Sequence, residues 1–388
     1  MFYKMPFVLM ALIAAIILLN NHLPLPLKEF LYAISLTIKE GIGFLLPFLV
    51  FGLLFNAALK LARDATRVIG LILLGVCCSN FISTFLSHYV GSWIYSFDLS
   101  ILMPTDDSGL KAAWQFALPK LIGNDKAMLV GLILGVAGAL LKSKFAHKLA
   151  SQLEMIISNI LRDLSYVIPL FIAGFIVKLQ HDGVVLKIAR DYSQVFLVVA
   201  FAQLLYLTLS YWLLNNRKLS EFKACIKNML PAAICGFSTM SSAASMPLTI
   251  MGAEKNVKNK ELVRSVIPAT VNIHLVGDCF AIPIFAYAVL KNYGVAEPAL
   301  ITYLIFAFYF VLAKFSVAAI PGGGIIVMLP ILEAYLGFHG DMLSLITALY
   351  ILFDPVITCA NVLGNGAFVK MIDRVIPSLS SRKATSST

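Results

Sequence analysis

The chain is built from apolar runs about as long as a bilayer is thick, and two of them are broken midway by polar or glycine clusters. Continuous runs lie near residues 6–20, 32–60, 68–96, 126–142, 156–178, 193–214, 263–290 and 343–369. Roughly 20 helical residues cross the hydrocarbon core. The broken pair lies near 228–252, interrupted by serines, and near 301–335, interrupted by Pro321-Gly322-Gly323-Gly324. Backbone that leaves helical geometry at that depth must be buried in protein or line a watery cavity. Kinking of ordinary helices by Pro and Gly is the plainer explanation. Interruptions in corresponding parts of a chain point instead to a transporter's binding site.

Composition agrees with a multi-pass, all-α membrane protein. Only 13% of residues are charged, 60% are apolar and the mean hydropathy is +0.89, whereas a soluble domain carries about a quarter charged residues. The net charge of +10 does not mark a nucleic-acid binder. Its Lys and Arg residues fall in connectors, with no basic face or aromatic stacking module. Lys4, Lys60/Arg63/Arg67, Lys142/Lys144/Lys148, Arg217/Lys218/Lys223 and Lys370/Arg374/Arg382/Lys383 fall on one side if each broken segment enters and leaves there as a re-entrant hairpin. Positive charge marks the cytoplasm, which places both termini inside. Residues 6–19 follow Lys4 as a signal peptide's core would. They precede Asn20-Asn21-His22 rather than a small-x-small cleavage site, and are expected to stay as a first helix. The six cysteines show no Cys-x-x-Cys or Cys/His ligand spacing and are expected to be packing residues.

Four stretches carry chemistry. Asp354, Thr358, Asn361 and Asn365 recur at i, i+4, i+7 and i+11, one helical stripe. An ionisable group in such a helix is costly and by default functional, although Asn and Thr also glue helices together. The stretch Cys235–Pro247 places Ser241 and Ser242 near a tight apex with free amides, suited to an anion such as a carboxylate, or to plain packing. Gly322, Gly323 and Gly324 permit close backbone approach and hinge motion; no Gly-Lys-Ser/Thr follows to make a phosphate loop. His274 and Asp278 lie one turn apart in an apolar run. They are read either as a pair able to relay a proton or as a core histidine satisfied by its neighbours. Neither a nucleophile elbow nor a metal motif supports an enzyme.

In order, these stretches resemble the dicarboxylate/amino acid:cation symporter family, the glutamate-transporter homologues. Met240-Ser-Ser-Ala-Ala-Ser-Met-Pro247 is similar to that family's first hairpin tip and Pro321-Gly322-Gly323-Gly324 to its second. Asn272-Ile-His-Leu-Val stands where the family has Asn-Met-Asp-Gly-Thr, and Asp354 to Asn365 matches its last helix. The resemblance implies eight transmembrane helices, two re-entrant helical hairpins, an elevator mechanism and a homotrimer. It divides the chain into scaffold helices 1–2 (1–66), transport-domain helix 3 (67–97) and scaffold helices 4–5 (124–185). A transport domain over 190–370 contains hairpin 1 (222–255) and hairpin 2 (300–336), and 371–388 is a cytoplasmic tail. Substrate contacts fall by position on Ser241, Ser242, Gly322, Gly323, Gly324, Asp354, Thr358 and Asn361, with Asp354 taking the substrate's ammonium. Cation coupling falls on Asn272, His274, Asp278, Asn361 and Asn365, with a weak sodium site at Asn272, Asn361 and Asn365. No cofactor is expected beyond the coupling ion, Na⁺ or H⁺.

Three departures redirect the expectation. Ile357 replaces the family's arginine that clamps a side-chain carboxylate, and Met240 removes the other guanidinium position. A second substrate carboxylate would then be buried without a cation, at a cost of several kcal/mol. A small neutral amino acid is the expected substrate; a dicarboxylate or acidic amino acid is the alternative, and an anion-leak channel or uncoupled exchanger the rival of another class. His274 and Asn365 replace two family carboxylates of sodium sites, so reduced sodium dependence is expected, with coupling passing to protons, to one remaining sodium site, or to nothing.

Overall fold

The computed structural model describes residues 11–385 except 13, 14, 17, 20, 21, 64–66, 98–108, 120, 123, 184, 316 and 318–321, and no strand occurs among the described residues. Much of the expected first helix and the Pro321 apex lie outside them. The helices from residue 25 onward are α1 (Leu25–Arg63), α2 (Arg67–Tyr95), α3 (Asn124–Leu140), α4 (Lys144–His181), α5 (Val185–Leu214), α6 (Leu219–Thr239), α7 (Ser242–Glu254), α8 (Lys260–Thr270), α9 (Val276–Asn292), α10 (Leu300–Lys314), α11 (Gly323–Leu336) and α12 (Gly340–Thr385). Stretches 70–95, 192–214 and 340–375 are, among the described residues, long and apolar enough to cross a membrane.

The exterior is greasy, and polar side chains of the apolar segments are turned inward, into a largely apolar core. Leu74, Ile82 and Trp93 of α2, Leu129 and Ile133 of α3, and Leu197, Phe201 and Leu205 of α5 are exposed, while Asn80, Ser83, Thr84, Gln203, Thr270 and Asn365 are buried. That arrangement suits lipid: exposed apolar faces need no water, and inward polar groups find partners.

Two helix–turn–helix pairs stand where the broken runs were read. Helices α6 and α7 are joined only by Met240 and Ser241, and pack arm on arm. Met240 adopts the left-handed region (φ 50°) and its N–H bonds Gly236 O at 2.9 Å, closing α6, while the Ser241 hydroxyl accepts from Ala244 N at 3.2 Å and starts α7. Left-handed termination and a serine cap satisfy helix-end groups that lipid cannot. Helices α10 and α11 also pack against each other, with residues 315–322 between them.

The run 263–290, read as continuous, is interrupted. Helix α8 ends at Thr270 and α9 begins at Val276. Pro268 near the end of α8 and the extended Leu275 (φ −125°, ψ 65°) flank the gap. Helix α12, by contrast, runs unbroken through the polar stripe. Helix α1 packs against α3 and α4, whereas α9 packs against α2, α5 and α12. Glycines set the closeness of α1 to α3: a Cβ on Gly131 would lie 2.6 Å from Phe51 O.

Candidate functional site

The gap between α8 and α9 is the seed of the site. Unwinding frees backbone groups that must be satisfied, and side chains from three other helices do so. Asn80 of α2 donates to Ile273 O (2.7 Å) and accepts from Leu275 N (3.2 Å). Gln203 of α5 donates to Gly277 O (2.9 Å). From α12, the Asn361 Oδ1 accepts from Gly277 N (2.8 Å) and Asn365 Nδ2 donates to His274 O (3.1 Å). Gly277 lets the helices meet, since a Cβ there would run into Ile357 O.

Asp278, in the first turn of α9, lies beneath α11. Its Oδ2 accepts from Lys314 Nζ at 2.8 Å, and its Oδ1 accepts from Tyr350 Oη (3.2 Å) and Asn361 Nδ2 (3.0 Å). Both charged side chains are essentially inaccessible, 0% exposed for Lys314 and 2% for Asp278. Gly324 makes room: a Cβ there would collide with Asp278 Oδ2 and Tyr350 Oη.

Asp354 is the second buried acid, one side of the α12 stripe. Its Oδ2 accepts from the N–H of Gly322, at the start of α11, at 3.0 Å, and its Oδ1 accepts from Thr358 Oγ1 at 2.9 Å. Gly322 has φ 73°, a left-handed conformation that favours glycine. Among the described residues Asp354 has no cation partner. Thr358 also faces the first pair: a Cβ on Gly236 of α6 would meet Val362 Cγ2 at 2.9 Å and Thr358 O at 3.4 Å.

Other predicted residues fall as follows. Ser242 is buried at the start of α7, and α7 packs against α12, yet no hydrogen bond ties its side chain to Thr358 or Asn361 among the described residues. Gly323 is buried in the first turn of α11. Asn272 is exposed. His274 does not pair with Asp278. Its Nε2 lies 2.8 Å from Ser79 Oγ, its ring packs against Phe368 at a tilt of 31° with centroids 4.5 Å apart, and its buried Nδ1 has no partner. The i, i+4 argument fails because His274 precedes the helix that holds Asp278. A cavity of about 60 Å³ lies against His274, lined also by Ser79, Tyr206, Ser210 and Gly364.

Sequence reasoning missed Lys314, Tyr350, Asn80, Gln203 and Ser79. A lone lysine ending an apolar run, or a lone Asn or Gln inside one, was the available signal.

A lipid-facing exterior, unwound backbone held by buried amides, and two buried acids beneath a glycine tip define a multi-pass helical membrane protein with a polar centre. The model of the sodium:dicarboxylate symporter family matches residues 125–375. The chain belongs to that family. Similar proteins include excitatory amino acid transporter 3 of Mus musculus, 24% identical over 253 residues covering 64% of this chain and 47% of that protein. Excitatory amino acid transporter 1 of Homo sapiens is 27% identical over 208 residues, 53% of this chain and 37% of that protein. The match thus spans less than half the length of these relatives.

Proposed function

We propose that this chain is a secondary active transporter, a symporter that carries a small neutral amino acid across the inner or plasma membrane. Family membership supports symport. The observation that carries the substrate assignment is the contact between Asp354 and Gly322: a buried carboxylate held by the amide of a glycine tip. A substrate ammonium supplies the cation that Asp354 lacks in this set of contacts, and its α-carboxylate turns to Thr358 Oγ1, Ser242 and the first-turn amides of α11 at Gly323 and Gly324. Releasing the Gly322 amide from Asp354 and lifting the second tip admits the substrate; restoring the bond shuts it in.

A neutral substrate follows from what surrounds the carboxylate. Ile357, at the position of the family's clamping arginine, is 0% exposed and offers no charge. Lys314 is the nearby cation, but Asp278 already neutralises it. An acidic amino acid or dicarboxylate is the alternative on the same fold. On this reading α6/α7 and α10/α11 are re-entrant hairpins among eight crossing helices. The part around α9 and α12 moves as an elevator against a scaffold of α1, α3 and α4, in a homotrimer with both termini cytoplasmic.

The oxygens assigned to a weak sodium site are engaged in part by other groups. Asn361 Oδ1 accepts from Gly277 N (2.8 Å) and Asn365 Oδ1 from Thr270 Oγ1 (2.9 Å), while Asn272 is exposed. A hard cation needs several free oxygens. Proton coupling through His274 is favoured by its unpartnered Nδ1 beside a small cavity. Uptake of labelled alanine or serine into proteoliposomes, under separate sodium and proton gradients, tests the reading. Accumulation driven by the proton gradient supports it. Steep dependence on several sodium ions rejects the coupling assignment, and no uptake of any amino acid or dicarboxylate rejects transport.

A further inference from the structure

We infer that the ammonium of Lys314 is a tethered cation filling the seat at Asp278 that a mobile coupling ion would otherwise take, so that the protein closes over its site without sodium bound there. The inference extends the coupling assignment above but rests on its own geometry.

Lys314 is the last residue of α10, where unpaired carbonyls favour positive charge, and Asp278 lies in the first turn of α9, where free amides favour negative charge. The lysine stem folds back so that Nζ lies 4.6 Å from the centroid of the Phe310 ring, one turn earlier, a cation–π contact. Its ammonium then meets Asp278 Oδ2 at 2.8 Å. The other carboxylate oxygen takes the Tyr350 hydroxyl and the Asn361 amide of α12. Gly324 of α11 closes over the same oxygen that Lys314 engages. One carboxylate thus gathers α9, α12 and both arms of the second hairpin.

A buried ion pair is weak evidence for stability, because desolvation offsets attraction and apolar replacements of equal volume do as well. A pair of this kind at the meeting point of a gating hairpin and a broken helix therefore calls for a role beyond packing. The electrostatics supply one. Asp278 is the acid in contact with this ammonium, one charge against one, while Asp354 is bonded to Gly322 N and Thr358 Oγ1 instead. Adding sodium would set two cations against one carboxylate in a medium of low dielectric. A covalently attached cation is not lost to solution, so the seat refills from the chain itself whenever α10 and α9 are packed as here.

Thermal unfolding of the purified full-length protein in NaCl, against choline chloride at equal ionic strength and without any substrate, tests the idea. The wild type is expected to show no sodium-specific shift. Lys314→Met empties the seat while keeping the stem. It is expected to unfold at lower temperature in choline and to recover on the order of a few degrees in sodium, saturably, as a bound ligand does. Lys314→Met combined with Asp278→Asn is expected to lose that sodium response. A saturable sodium shift in the wild type, removed by Asp278→Asn, overturns the inference, as does a Lys314→Met protein indifferent to sodium. If Lys314→Met is recovered only when sodium is present throughout purification, and collapses on exchange into choline, the inference stands. If it is recovered in neither salt, the seat does not accept a mobile ion and the inference falls. No substrate enters these measurements, so a wrong substrate class leaves them intact, and their failure leaves amino acid transport standing.

Discussion

The backbone N–H of Gly322 donates to the buried Asp354 carboxylate at 3.0 Å, linking the start of α11 to the middle of α12. Asp354→Asn keeps an acceptor for that amide and removes the charge. Loss of one partner from a buried charge pair costs about 3–5 kcal/mol, more than ~100-fold in affinity. Uptake should therefore collapse while gel filtration and the unfolding temperature stay near wild type. Unaltered uptake would remove Asp354 from the substrate assignment.

Substrate class is read by a thermal-shift screen. With Ile357 buried at the clamp position, small neutral amino acids should stabilise the protein, and succinate, aspartate and glutamate should not. Strongest stabilisation by succinate would move the assignment to dicarboxylates.

Gly324→Ala drives a methyl group into Asp278 and Tyr350. Overpacking of this kind costs about 1–3 kcal/mol, so the unfolding temperature should fall and uptake with it. Gly70→Ala, where a Cβ meets nothing within 4 Å, is the matched control and should unfold like the wild type.

His274→Phe preserves the ring contact with Phe368 and deletes both ring nitrogens. Accumulation driven by a proton gradient should drop to the level seen without one, while exchange of internal for external amino acid persists. Equal proton-driven accumulation in both proteins would leave His274 as a brace for Ser79 and the broken segment.

Periodicity made the α12 stripe legible: Asp354, Thr358, Asn361 and Asn365 follow helical spacing, and each bonds inward in the structure. The two helix–turn–helix pairs were legible from serine and glycine clusters in otherwise apolar runs. The break at 271–275 was not, because Val271, Ile273, Leu275 and Val276 keep the run apolar. What permits unwinding there is distant in sequence: Asn80, Gln203, Asn361 and Asn365 supply the missing hydrogen bonds. Lys314 was illegible for a related reason. A lysine ending an apolar helix looks like any topology-setting charge until Asp278, 36 positions earlier, is brought against it.

The two turns are unequal. Met240 and Ser241 alone join α6 to α7, with serine and left-handed caps fixing both ends, whereas residues 315–322 join α10 to α11. The shorter elbow makes α6 and α7 one wedge. Displacing α11 breaks the Gly322–Asp354 hydrogen bond, whereas the α6–α7 elbow is closed by bonds within itself.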